Sequence, residues 1–116
     1  MMEVQIFGTK KSAATRKAQR FFAERRIRVH FVDLAQRAAA PGELRRFVQQ
    51  FGVDALIDRD SKRLVELGLT HASYGAERWL EILAQEPLLL RQPLVRHGGQ
   101  LTIGEAEPAW KQWVGR

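Results

Sequence analysis

Gly8-Thr9-Lys10-Lys11-Ser12-Ala13-Ala14-Thr15-Arg16-Lys17-Ala18 joins an alternating run, Val4-Gln5-Ile6-Phe7, to a stretch of helix formers. It places two hydroxyls, Ser12 and Thr15, three residues apart at that junction. Ser12 is a good N-cap, so the helix should begin at Ala13. The N–H groups of Ala13, Ala14 and Thr15 then leave the helix end without intrahelical acceptors, and the dipole adds to their attraction for negative charge. Two chemistries suit such a place: holding an anion, or activating a nucleophile. A serine hydroxyl there stays protonated near neutral pH, and His30, His71 and His97 lie far from Ser12 in sequence, so no base is at hand. A cap and nothing more is the stronger reading of Ser12.

The 116 residues include no cysteine. That removes thiolate catalysis, disulfides and Cys-based metal sites together. The three histidines show no paired ligand spacing, so no metal and no resident cofactor is expected. His97 beside Gly98-Gly99 reads as a turn residue, and Trp79, Trp110 and Trp113 as packing or surface residues.

The net charge of +6 is unevenly placed. Residues 1–28 hold eight Lys/Arg against two acids, and the remaining chain holds eleven of each. A basic first unit can steer an anionic partner, although a solvated helix face is the simpler reading. No nucleic-acid motif is present, and Phe21 and Phe22 read as core, so nucleic acid is not expected as a partner. No apolar run approaches the ~18 residues that span a bilayer. Met1 to Phe7 lacks the charged lead and apolar centre of an export signal, so a cytoplasmic monomer is the expectation.

The elements that must position these residues follow from periodicity. Val4–Phe7 and Val29–Asp33 read as strands around a helix from Ala13 to about Arg26, whose apolar stripe is Ala14, Ala18, Phe21 and Phe22. Pro41 opens a helix carrying Leu44, Phe47, Val48 and Phe51 and stopped by Gly52. Residues 54–68 read as short helical pieces with Leu64 and Leu67 buried. A helix over 75–85 should bury Trp79, Leu80, Ile82 and Leu83. Leu90 to Arg96 and Gln100 to Ile103 flank a Gly-containing hairpin turn, and a last helix from Pro108 to Val114 stacks Trp110 on Val114. The order is β-α-β, helices, β-hairpin, α. It predicts an α/β fold with a mixed four-stranded sheet, as one domain over 1–116 with a helical insertion at about 41–86.

Five stretches together carry a resemblance. They are Phe7 through Ala18, Phe31-Val32-Asp33-Leu34, Pro41-Gly42-Glu43-Leu44, Leu64-Val65-Glu66-Leu67-Gly68-Leu69 and Gln92-Pro93-Leu94-Val95. In order and spacing the chain resembles the ArsC family, which includes glutaredoxin-dependent arsenate reductases, Spx-type transcription regulators and YffB-like proteins. The resemblance implies a thioredoxin-like fold. It also implies a reactive cysteine in the first strand-to-helix loop, where this chain has Ser12. Thr15 stands where Spx-like members carry a second cysteine, while Arg16-Lys17-Ala18 is retained.

The family's oxyanion arginines have departed too. One directly precedes the family proline, where this chain has Gln92 before Pro93, with Arg91 and Arg96 flanking the pair. Another aligns near Asp58-Arg59. Arginine is hard to replace where bidentate geometry matters, so arsenate reduction is not expected. The resemblance instead suggests a cysteine-less binding or regulatory module, with transcription machinery or glutaredoxin as partner. The alternative is an enzyme in which glutathione supplies the sulfur. Its small thiol or oxyanion would be held by Ala13, Ala14, Thr15, Arg16, Arg91, Gln92, Pro93 and Arg96, with Ser12 at the catalytic position.

Overall fold

The computed structural model describes residues 2–115. β1 (Glu3–Gly8) runs into α1 (Ala13–Glu24) and then β2 (Arg28–Asp33). α2 (Pro41–Phe51), α3 (Lys62–Glu66) and α4 (Ala76–Gln85) follow, with 3-10 turns at Val53–Leu56 and Pro87–Leu89. β3 (Leu94–His97), β4 (Gln100–Ile103) and α5 (Glu107–Trp113) close the order. The sheet runs β2-β1-β3-β4. β1 and β2 are parallel, and the other pairs antiparallel. This is the mixed sheet that the element order predicts.

The chain divides into two compact units, one built from the residues up to Asp33 together with those from Gln92 onward, the other from Leu34–Arg91. In the first unit, Val4, Ile6 and Val95 form a buried cluster with Ala18, Phe21 and Phe22 of α1 and Trp110 of α5. Both helices therefore cover the sheet face that carries Val4 and Ile6. Thr102 is on that face as well, opposite Val95, and its hydroxyl accepts the indole N–H of Trp110 at 2.9 Å. The cluster thereby keeps its polar groups paired.

Local details of α1 differ from the periodic reading. The buried stripe is Thr15, Ala18, Phe21 and Phe22, whereas Ala14 is only half-buried. The helix also ends two residues early. Arg26 takes φ 59°, and Ile27 N–H returns to Phe22 O at 3.0 Å. A left-handed residue closes a helix well, but glycine is its usual sequence signal and arginine gives none.

In the second unit, Leu44, Phe47, Leu64, Trp79, Leu80, Ile82 and Leu83 are buried as expected for a helical core, and Leu56 and Ile57 are buried as well. Phe51, at the last position of α2 before Gly52 as expected, is 39% exposed. Val48 and Leu67 are half-buried. The strand expected from Leu90 starts only at Leu94. Leu90 makes an isolated bridge with Ile57 instead, flanked by Asp58 N–H to Leu89 O and Arg91 N–H to Leu56 O, both 2.8 Å.

Arg63 forks onto Glu86 in this unit, Nε to Oε1 at 2.8 Å and a terminal nitrogen to Oε2 at 3.2 Å. The hydrogen bonds from Arg63 outweigh desolvation and hold the Glu86 carboxyl below its ordinary range. A depressed folded pKa stabilises above the unfolded carboxylate's pKa, and that contribution disappears as pH falls through the folded value. Denaturant midpoints compared at pH ~7 and pH ~3 should therefore fall less in Glu86→Gln than in the parent chain.

Candidate functional site

Ser12 has extended backbone angles, φ −76° and ψ 119°, and its Oγ accepts the Thr15 N–H at 3.1 Å. It is an N-cap. Of the three N–H groups expected to be open, Thr15's is therefore taken. Those of Ala13 and Ala14 have no acceptor among the described residues. The first turn contains no acid, so nothing local opposes negative charge there.

Thr15 is fully buried, and its burial depends on Gly8. A Cβ built on Gly8 would sit 2.6 Å from Thr15 Cγ2 and 3.0 Å from its Cβ. Close approach, not a special φ, is what calls for glycine at this strand end. Gly8→Ala should cost about 1–3 kcal/mol by overpacking. Adding Thr15→Ala should recover part of the loss in a denaturation cycle, because Oγ1 and Cγ2, which crowd that Cβ most, are then gone.

Gln92 is the residue whose role sequence reading missed. The resemblance places it beside Pro93 in a ligand-holding set; the structure adds that its side chain closes the loop. Gln92 Oε1 accepts from Thr9 N–H at 2.7 Å, Thr9 Oγ1 at 3.1 Å and Thr15 Oγ1 at 3.3 Å. The donating backbone N–H fixes which way the amide points, since only oxygen can accept it. The Gln92–Pro93 peptide is cis, and Pro93 O accepts from Gly104 N–H at 2.8 Å. No short-range pattern could reveal this contact: Gln92 and Thr9 lie 83 residues apart.

The remaining candidates disperse. Arg16 donates to Lys10 O at 2.7 Å and so braces the loop from outside. Arg96 pairs with Gln5 in the β1–β3 register, three positions from Gly8 along β1. That register removes Arg96 from the Ser12 loop. Arg91 belongs to the second unit. Along the basic stretch, Lys17 is held by Glu105 at 3.1 Å, which keeps its ammonium above the ordinary lysine range. Arg25 lies over the Phe21 ring, 3.7 Å from its centroid. Arg20 is exposed with no ion-pair partner among the described residues. Neither a metal-binding group of His, Asp and Glu nor a helix long and apolar enough to cross a membrane occurs among the described residues.

Chemically, this arrangement can cap, brace and offer two N–H groups; it cannot supply sulfur. Comparison with known proteins agrees with the element order. The chain is 23% identical over 115 residues to the protein YusI of Bacillus subtilis, covering 96% of this chain and 98% of that one. It is 26% identical over 117 residues to the global transcriptional regulator Spx 2 of Oceanobacillus iheyensis, covering 99% and 86%. The arsenate reductase of Vibrio cholerae superimposes with a TM-score of 0.82 at 22% identity, over 96% of this chain and 97% of that one. The family model described as ArsC family matches residues 7–113, and the chain belongs to the ArsC family, as a thioredoxin-like member without a cysteine.

Proposed function

We propose that this chain is a binding or regulatory module of its family and not itself a thiol reductase. The observation that supports this most is the closure of the Ser12 loop by its own side chains: Ser12 holds the Thr15 N–H, and Gln92 takes three donors. The Thr9 N–H and both threonine hydroxyls are spent on Gln92 and on no ligand. Here they stabilise the fold. Without sulfur the chain forms neither an arsenic adduct nor a mixed disulfide.

Its work then falls to the surface, in the cytoplasm. The similarity to Spx 2, a global transcriptional regulator, suggests a partner in the transcription machinery. The unpaired Arg20 on α1 is the place to look. Two measurements decide the reading. Arsenate reduction with glutathione and glutaredoxin supplied should not exceed the protein-free rate, and turnover would overturn the proposal. Purified RNA polymerase should bind the parent chain and lose affinity for Arg20→Glu; equal affinity would remove that face.

The open N–H groups of Ala13 and Ala14 favour a second reading. It is a glutathione- or oxyanion-dependent enzyme at the Ser12 helix end, with glutaredoxin as its recycling partner. Millimolar glutathione or arsenate should then shift the amides of Ala13 to Arg16, and flat spectra would end this idea.

A further inference from the structure

Side chains alternate between faces along a strand, so Glu3, Gln5 and Phe7 share the face of β1 that Val4 and Ile6 do not. Phe7 is buried, as are its register neighbours Val32 and Leu94. Two residues along β1 the character changes. Register places His30 on one side of Gln5 and Arg96 on the other. With Glu3, Val4 and Gly98 they line a cavity of about 270 Å³ within the first unit. A polar row across two inner strands and an edge strand contributes nothing to a hydrophobic core.

Arg96 is held in one orientation. Its Nε donates to Gly98 O at 3.0 Å, and one terminal nitrogen approaches Gln5 Oε1 at 3.5 Å. Its other terminal nitrogen has no acceptor among the described residues. Gly98, at φ 59°, has open space where a side chain would stand. Glu3 lines the same cavity but makes no ion pair with Arg96 among the described residues, and Arg28 faces it at 3.9 Å. His30 is exposed, and its ring has no hydrogen-bond partner among the described residues. It lies two strand spacings from Arg96, about 9–10 Å.

We propose that this row is a binding site for a small ligand bearing a carboxylate or phosphate oxyanion, gripped by the free edge of Arg96. A guanidinium already oriented by its neighbours loses little freedom on binding, and its planar N–H groups match an oxyanion. His30 then meets the far end of a ligand longer than the anion itself. This site is separate from the Ser12 loop and does not depend on the reading of that loop.

The test is an amide titration of the full ¹⁵N-labelled chain with inorganic phosphate and, separately, acetate, each against sodium chloride at equal ionic strength. Saturable millimolar shifts are expected at Val4, Gln5, Arg96 and the Arg96 Nε, whether or not Ala13 to Arg16 also respond. Arg96→Lys, which keeps the charge but loses the fork, should weaken binding about tenfold. Arg96→Gln should abolish it. A response to phosphate alone or to acetate alone supports the site and identifies the source of the oxyanion. The proposal falls if chloride produces the same shifts, if none saturate, if they centre on Ala13 to Arg16, or if Arg96→Lys binds as tightly as the parent.

Discussion

Ser12→Cys is expected to produce a thiol that ionises below the ordinary cysteine value of ~8.5 and alkylates readily at neutral pH. The position supplies what a thiolate needs. The Thr15 N–H already points at the Ser12 oxygen from 3.1 Å, and the Ala13 and Ala14 N–H groups have no other acceptor among the described residues. The first turn of the 12-residue α1 carries no acid, and Lys10 and Lys11 are exposed beside it. Hydrogen bonds to the anion and the helix dipole act in the same direction, lowering the pKa by about 1–2 units. Iodoacetamide rates across pH would measure this, with Ser73→Cys on an exposed loop as control. At neutral pH the Ser12→Cys thiol should react roughly tenfold faster, in proportion to its thiolate fraction. A titration at or above the control's would remove the helix end as an anion-stabilising site. Arsenate reduction is not expected to return with the thiol alone. Gln92 stands before Pro93 where the family resemblance places an arginine, and its oxygen is directed at Thr9 and Thr15.

Gln92→Leu should be among the most destabilising single changes in the first unit, costing about 2–4 kcal/mol. It leaves the Thr9 N–H and both threonine hydroxyls without their acceptor. Thr15 is fully buried and Thr9 is 8% exposed, so water cannot readily replace the lost oxygen. Gln92→Glu retains two acceptor oxygens near a helix N-terminus and should lose less than about 1 kcal/mol at neutral pH. Urea unfolding of both variants separates the acceptor from the bulk of the side chain. If Gln92→Leu unfolds within ~0.5 kcal/mol of the parent, the span of ordinary surface changes, then the three hydrogen bonds do not hold the loop.

Both variants bear on one feature, a loop in which the resemblance places a cysteine at Ser12 and an arginine at Gln92. Serine can cap the helix as well as any residue, so losing sulfur does not destabilise α1. Arginine before the proline would be a charged donor. Glutamine is an acceptor that reaches the same loop and ties it to the start of β3. The two residues are coherent physically: with no thiolate to stabilise, the donors of Thr9 and Thr15 are satisfied internally, and only the N–H groups of Ala13 and Ala14 stay open.

What could be read along the chain was whatever depends on neighbours a few residues away. Alternation over Val4–Phe7, the Ser12 cap, Pro41 opening α2 and Gly52 closing it, and the hairpin around Gly98-Gly99 are all local, and each is present. Cysteine content needed no structure at all, and it alone excludes thiol chemistry by this chain. Tertiary structure decided everything that turns on register. The stripe of α1 includes Thr15 and not Ala14, because Gly8 leaves room for one buried side chain there. Gln92 reaches Thr9 across 83 residues, a distance over which composition and periodicity carry no information. Arg96, four residues beyond Gln92, lines a cavity beside Gln5 and not the loop, since β3 pairs antiparallel with β1 and carries it away. Local propensity chooses the elements; strand register chooses which side chains meet.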